Sequence, residues 1–495
     1  MITKNKKNNF YKDSSLYLIA TILSSAIHFI TLPVFTRFLT PSDYGIIALF
    51  TLFGQFSSGL LSLGLQSASY RYYFEYSKNK IEDYKKLNSS ILIYLFIIFF
   101  IGGIIIHLTH NWISTILFSN EIDSRLILWS FISGCLEYFI VYFTALLTAQ
   151  LRSSLYSIII ISRSLLRMSI AFYLIFVHSL TFMSLIYAIL ITQSVIVLTL
   201  FIVNKNILTI KFSISMLKRS LKFSYPNVLR LVIGLINSSF DKIMLVKITG
   251  VVSPVGYYSI AQKSAYTFKL FKDSIDRSWI PFFMEKAHEN KSESKNEIIE
   301  KFFEISFIYM ISAFALISFS EEIVKILTTE EFYPAMYMIP LFVIYYAVGI
   351  IASLSIQQIQ FSEKTQYILP ASIFGIITNI ILNIIFIPRF GVYGALFSLI
   401  VSTMIANSSH LYFGLKLFPL NINKVKILST LLLIIIFSIP IYMIMYFDFH
   451  FMLKILIKFF ILLLFIKTCI IFDYFSKEKI KLFFKGQFFL KSKIV

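Results

Sequence analysis

The run ILIYLFIIFFIGGIIIHL, Ile91–Leu108, contains no charged residue. A helix needs about 20 mostly apolar residues to cross a bilayer, so this stretch reads as a membrane span. Thr430–Phe447 (TLLLIIIFSIPIYMIMYF) and Leu453–Phe472 (LKILIKFFILLLFIKTCIIF) carry the same signal. Working outward from them, about fourteen such segments recur, near 14–38, 44–74, 87–108, 124–149, 153–177, 180–203, 216–247, 254–283, 301–319, 333–360, 366–387, 391–415, 426–447 and 451–474. All are expected to be helices, because a lone spanning segment must satisfy its own backbone hydrogen bonds. Strands of a membrane barrel would be about 10 residues long with alternating polarity, and that pattern is missing. The connections are short, which leaves no soluble stretch able to fold as a catalytic domain.

Composition agrees. Of 495 residues, 57% are hydrophobic and 14% charged, against roughly 25% charged in a soluble domain. The formal net charge of +20 would suggest nucleic acid in a soluble protein. In a membrane protein, Lys and Arg collect in cytoplasmic loops and beside phospholipid headgroups, so the bilayer is the expected partner and nucleic acid is not. Cys135 and Cys469 both lie in apolar segments, with no neighbours suited to a metal; neither a metal nor a disulfide is expected. No cofactor is implied. The Lys- and Asn-rich N-terminus runs into the first span without a small-residue cleavage site, so it reads as retained.

Loop charge orients the chain. With the N-terminus inside, alternate loops carry Lys4, Lys6, Lys7 and Lys12; Lys78, Lys80, Lys85 and Lys86; Arg152; Lys205, Lys211, Lys218, Arg219 and Lys222; Lys286, Lys291, Lys295 and Lys301; Lys364; Lys416, Lys424 and Lys426; and the tail from Lys477 to Lys493. The opposite loops hold little beyond Lys247, Lys325 and Arg389, and several are acidic, with Glu121, Asp123, Glu321, Glu322, Glu330 and Glu331. This asymmetry places both termini in the cytoplasm and requires an even number of spans.

An internal repeat is also visible. Thr40-Pro41-Ser42-Asp43-Tyr44-Gly45 joins the first two spans, and Ser253-Pro254-Val255-Gly256-Tyr257-Tyr258 joins the seventh and eighth. Each is followed, about 30 residues on, by an aromatic exit: Tyr72-Tyr73-Phe74-Glu75 and Pro281-Phe282-Phe283-Met284-Glu285. The period of about 210 residues equals six spans, so the two copies point the same way. Parallel repeats of this kind are a transporter architecture. The last two spans fall outside it.

These stretches resemble the polysaccharide (O-antigen and capsule repeat-unit) flippase family of the multidrug/oligosaccharidyl-lipid/polysaccharide exporter superfamily. The first part of the resemblance is Leu32-Pro33-Val34-Phe35-Thr36-Arg37-Phe38-Leu39 running into Thr40–Gly45, then Leu63-Gly64-Leu65 and Tyr70-Arg71-Tyr72-Tyr73. The second is Tyr225-Pro226, Asp241-Lys242 and Gly256-Tyr257-Tyr258-Ser259-Ile260-Ala261. The third is Asn383 followed by Ile387-Pro388-Arg389-Phe390-Gly391-Val392-Tyr393-Gly394-Ala395. Lys242 stands where the family usually has Arg. The resemblance implies an all-α membrane protein with two six-helix lobes around a central cavity that opens to alternate faces. It also implies a cargo, an oligosaccharide repeat unit on a polyprenyl pyrophosphate, moved across the bacterial cytoplasmic membrane for surface polysaccharide such as lipopolysaccharide O-antigen. A polysaccharide polymerase and the chain-length machinery are the protein partners it suggests. The expected division is a cytoplasmic N-terminus (1–13), an N-lobe (14–211), a C-lobe (212–420), the last two spans (421–475) and a basic tail (476–495).

Ionisable residues within the spans are costly, about 2.5–3.5 kcal/mol each or more, and by default face a cavity or a partner. Arg163 and Arg167 lie four apart on one face of the fifth span. Arg230, Asp241 and Lys242 lie in the seventh span. The eighth carries Lys263, Lys269, Lys272, Asp273, Asp276 and Arg277, and the fourth carries Glu137. Helical spacing allows Lys269 with Asp273, Lys272 with Asp276 and Asp273 with Arg277 to pair. Lys263 and the two arginines lack a local acid, and Glu137 can neutralise only one of them. Arg presents donors in a fork that matches phosphate oxygens. The expected cargo-binding residues are therefore Arg163, Arg167, Arg230, Lys263 and Lys269, with Glu137, Asp241 and Asp273 as coupling or charge partners. His28, Gln55 and Gln66 suit helix-to-helix hydrogen bonds, and Gln357, Gln358 and Gln360 could meet sugar hydroxyls.

Two other functions stay open. An ion-coupled drug or small-molecule antiporter would need carboxylates free to hold a cation, and these spans hold more basic than acidic groups. A membrane glycosyltransferase or polymerase would need a large external loop or a catalytic constellation, and neither is visible.

Overall fold

The computed structural model describes residues 2–76, 81–118, 121–179, 181–289, 291–447, 449–472 and 474, with side chains described at these except 2–15, 18, 226–233, 235–239, 365 and 424. Lys78, Lys80 and the tail 476–495, and the side chains of Lys4, Lys6, Lys7, Lys12, Lys424 and Arg230, therefore lie outside the described residues. Among the described residues all regular structure is helical. Ten helices are long and apolar enough to cross a membrane, and the chain is a multi-pass membrane protein.

The first unit covers Met1–Gly256 with Leu327–Thr329. It contains α1 (Ile2–Phe38), α2 (Pro41–Ser62), α3 (Leu65–Tyr76), α4 (Ile81–Phe118), α5 (Ser124–Ala149), α6 (Ser153–His178), α7 (Phe182–Val203), α8 (Ile214–Thr249) and the first residues of α9 (Ser253–Glu289). The motif Thr40-Pro41-Ser42-Asp43 works as a helix start. The Thr40 side chain accepts from the Asp43 backbone N–H, Asp43 returns a bond to the Thr40 N–H, and Pro41 takes the first helical position. This capping box satisfies two orphan donors, and proline costs nothing there. The expected single second span is two helices, α2 and α3. Leu63 and Gly64 between them take left-handed backbone, and that ends one helix and re-aims the next.

Helix α5 sits at the centre of this unit and packs on α2, α3, α4, α6 and α7. Glycine allows the closest of these approaches. A Cβ on Gly134 would overlap the backbone of Gly54 on α2, and one on Gly54 would overlap the backbone of Ser130. The repeat glycines meet in the same way within this unit. A Cβ on Gly45 would stand 2.5 Å from Val252 O, and one on Gly256 would overlap Pro41 O. Tyr72 of the first aromatic exit lies in a packed core with Tyr76, Tyr84, Phe139, Tyr142 and Phe143, each less than a tenth exposed.

The second unit covers Tyr257–Ile326 and Glu330–Val495. It holds the rest of α9, then α10 (Ser292–Ser318), α11 (Ser320–Leu327, whose last residue belongs to the first unit), α12 (Pro334–Phe361), α13 (Ile368–Leu417), α14 (Lys424–Tyr446) and α15 (Phe451–Ile471). Helix α13 is two helices joined at Gly391, where φ is 53° and ψ −127°. A residue with a side chain is strained at that φ, and Pro388 just before it removes a backbone donor. Helices α10 and α12 are the most buried of this unit's candidate spans. α12 packs on α10, α13 and α14, and α10 packs on α14 and α15. Helices α8, α9 and α15 have the length of a span but carry charge within it. Both cysteines are free.

Candidate functional site

The first unit places a charged network where α5, α6 and α7 meet. Arg163 on α6 points its fork at Glu137 on α5. Nη1 donates to Oε1 at 3.0 Å, and Nη2 donates to Oε2 over a shorter distance. Glu137 Oε2 also accepts from Gln193 Nε2 on α7 at 3.0 Å. Gln193 Oε1 in turn accepts from Ser133 Oγ, one turn before Glu137, at 2.9 Å. The Arg163 and Glu137 side chains are 22% and 25% exposed, so the pair is sheltered but not closed off by packing. Arg163 thus has the acidic partner that its own helix lacks.

Arg167, one helical turn along, lies within the electrostatic reach of both Arg163 and Glu137. Its buried Nε has no hydrogen-bond partner. Two guanidiniums therefore share one carboxylate, and this corner of the unit carries an excess positive charge together with an unmet donor.

The other expected residues are placed as follows. Asp241 is buried in the C-terminal half of α8, and the Arg230 backbone lies in the same helix. On α9, Lys263 is exposed and Lys269 is half-buried, with its Nζ 5.2 Å from the Tyr266 ring centroid. Of the three pairings allowed by spacing on α9, only Lys272 with Asp276 forms, at 2.6 Å. Lys269 turns back towards Tyr266 instead, which leaves Asp273 without a salt bridge to either neighbour. Asp276 is fully used: Lys272 and Ser353 donate to Oδ2, and Tyr309 donates to Oδ1 at 2.8 Å.

Two glutamine expectations are also resolved. Gln66 accepts from the Tyr138 hydroxyl on α5, a helix-to-helix bond as expected. Gln358 is fully buried, and its amide donates to Phe418 O at 2.8 Å. It ties two helix ends together and is not free for a sugar.

Sequence reasoning missed a second network altogether. Lys454 and Lys458, four apart on α15, enclose Glu321 on α11 at 2.9 and 2.7 Å, and Lys458 also meets Glu322 at 2.7 Å. Lys325 completes it at 2.8 Å from Glu321. Two lysines a turn apart in the apolar run Leu453–Phe472 were the available signal, since such charges need a partner. Gln193 and Ser133 were missed too, as uncharged residues in apolar helices.

The fold is shared with solved transporters. The lipid II flippase MurJ in an inward closed conformation superposes with a TM-score of 0.68 at 19% identity, over 91% of this chain and 97% of that one. An inward-facing multidrug resistance MATE family transporter of the MOP superfamily superposes at 0.62 and 15% identity, over 81% and 93%. An outward-facing structure of such a transporter gives 0.53 at 14% identity, over 82% and 95%. No curated protein matches the chain. The family model described as polysaccharide biosynthesis protein matches residues 34–337, more than half of the chain. The chain belongs to that polysaccharide biosynthesis protein family, and its fold is the one these solved transporters have.

Proposed function

We propose that the protein is a flippase. It moves a polyprenyl-pyrophosphate-linked oligosaccharide from the inner to the outer leaflet of the bacterial cytoplasmic membrane by alternating access, for surface polysaccharide. The observation that carries this reading is the Arg163–Arg167 pair with a single carboxylate, Glu137, inside a member of a polysaccharide biosynthesis family. A pyrophosphate has the charge and the oxygen geometry to satisfy both guanidiniums. Arg230, Lys263 and Lys269 are the further cargo-binding groups of this reading, and Asp241 and Asp273 its candidate coupling residues. That the fold is also that of a lipid II flippase supports the same class of cargo. Against a cation-coupled drug antiporter, Glu137, Asp276, Glu321 and Glu322 each already hold a Lys or Arg, which leaves Asp273 as the α9 acid without a salt bridge to its neighbours.

We further propose fourteen spans. They are the ten apolar candidates with α13 counted as two, plus α8, α9 and α15. The lobes 14–211 and 212–420 form a parallel repeat, the pair 421–475 follows, and both termini are cytoplasmic. In support, the fourth span of each proposed lobe, α5 and α12, is surrounded by its neighbours.

The test is a deletion strain. Lipid-linked oligosaccharide should accumulate on the inner leaflet while its synthesis continues, and expression of the gene should restore export. Normal surface polysaccharide in the deletion strain, with no second flippase present, would reject the function. Reporters after Lys493 and near Glu330 should read as cytoplasmic and external, and matching signals would reject the topology.

A further inference from the structure

We infer that Glu137 is a built-in competitor for the cargo's pyrophosphate: it holds Arg163 while the site is empty and yields it when a phosphate arrives. The inference rests on the reading that Arg163 and Arg167 bind that group. Four observations carry it. The Arg163 fork meets both oxygens of Glu137, the bidentate arrangement that a phosphate would use. The pair is about a quarter exposed, so packing does not seal it off. Glu137 has a second, neutral anchor in Gln193, itself oriented by Ser133. And Arg167 beside it keeps a buried donor unmet.

The physical sequence is an exchange of anions. A carboxylate brings one negative charge to two guanidiniums, whereas a pyrophosphate brings more charge and more acceptor oxygens. The cargo therefore displaces Glu137 from Arg163 and also engages Arg167. Glu137 is not left bare, because Gln193 still donates to it, and this lowers the cost of displacement. When the cargo must leave, the tethered carboxylate is already beside Arg163 and recaptures it. A flippase needs such an exchange, since a site that binds tightly on one face must still let go on the other.

The experiment measures inorganic pyrophosphate binding to the purified full-length protein in detergent, by calorimetry. Arg163→Ala and Arg167→Ala are expected to weaken binding. Glu137→Gln, which keeps the shape and removes the competitor, is expected to tighten it about ten- to a hundredfold. Glu137→Asp, which keeps the charge but shortens its reach, is expected to tighten it less and covers the case in which the Gln variant fails to fold. Gln193→Leu is expected to weaken binding, because the displaced carboxylate then has no anchor. A structural role would make the Glu137 and Gln193 variants move binding in the same direction. Unchanged or weaker binding by the Glu137 variants, with the arginine variants weakened, overturns the inference and leaves the flippase reading standing. Arginine variants that bind as wild type, or no binding by wild type and the Glu137 variants alike, overturn both.

Discussion

Lys458→Ala is the single change in the second unit whose cost follows most directly from geometry. Lys458 Nζ stands 2.7 Å from Glu321 Oε2 and 2.7 Å from Glu322 Oε1, with its side chain 0% exposed. Glu322 Oε2 is already buried without a hydrogen bond. Removing the ammonium leaves Glu322 with no cation in salt-bridge range among the described residues, while Glu321 keeps Lys454 and Lys325. Breaking a buried pair from one side costs about 3–5 kcal/mol, because the surviving charge stays out of water. Lys458→Met combined with Glu322→Gln removes one charge of each sign and fills the space of the lysine stem. It should cost less than the single change although it alters two residues. Thermal unfolding of the purified protein in detergent reads the difference. The single variant is expected to unfold several degrees below wild type, and the double variant to recover most of that loss. A single variant as stable as wild type, or a double variant worse than the single, would show that Lys458 does not stabilise the fold through Glu322.

Three further outcomes follow from the same geometry. Burial would raise the Glu321 carboxyl, but Lys325, Lys458 and Lys454 outweigh it and hold the group at about 2 against an ordinary 4.5. A carboxyl depressed in the folded state stabilises the fold above its unfolded value and stops doing so as pH falls through the folded one. The stability gap between wild type and Glu321→Gln, measured by unfolding across pH, should therefore hold steady above 4.5 and close as pH falls towards about 2. Gly134→Ala would push α5 off the α2 backbone at Gly54 and should destabilise by about 1–3 kcal/mol; Gly103→Ala, whose Cβ meets only the Phe131 ring at 3.7 Å, should unfold no earlier than wild type. Arg219 bonds Glu75 at 2.7 Å, but the two side chains are 49% and 40% exposed. Arg219→Ala should therefore cost under about 1 kcal/mol, and a loss as large as that of Lys458→Ala would contradict the weight given to burial.

The helices were readable because hydrophobicity along a chain is a local property. The break between 387 and 391 was readable for the same reason, since Pro388 and Gly391 are local punctuation. The capping box at Thr40 explains why the first motif of the resemblance takes the form it does. Pairing across helices was not readable. Glu137 and Arg163 each stood out as charges at membrane depth, but they meet only through the packing of α5 on α6. Glu321 and Glu322 read as an acidic external loop, yet both are buried against α15. Nothing in the local sequence says that a short helix after α10 folds back onto a lysine pair more than a hundred residues later. The three pairings on α9 fail in the opposite direction: spacing allowed all of them, and side-chain packing against Tyr266 and Tyr309 selected one.

Reconstitution tests whether the protein moves a pyrophosphate-linked lipid. Purified protein in liposomes carrying a fluorescent polyprenyl-pyrophosphate oligosaccharide should move the lipid between leaflets, as read by the fraction that an impermeant reagent can reach. This fraction should rise with time in wild-type vesicles and stay near the protein-free level with the Arg163→Ala, Arg167→Ala double variant. Wild-type vesicles that leave the lipid where it started would rule out translocation, and a double variant that moves it as fast as wild type would rule out the arginine site.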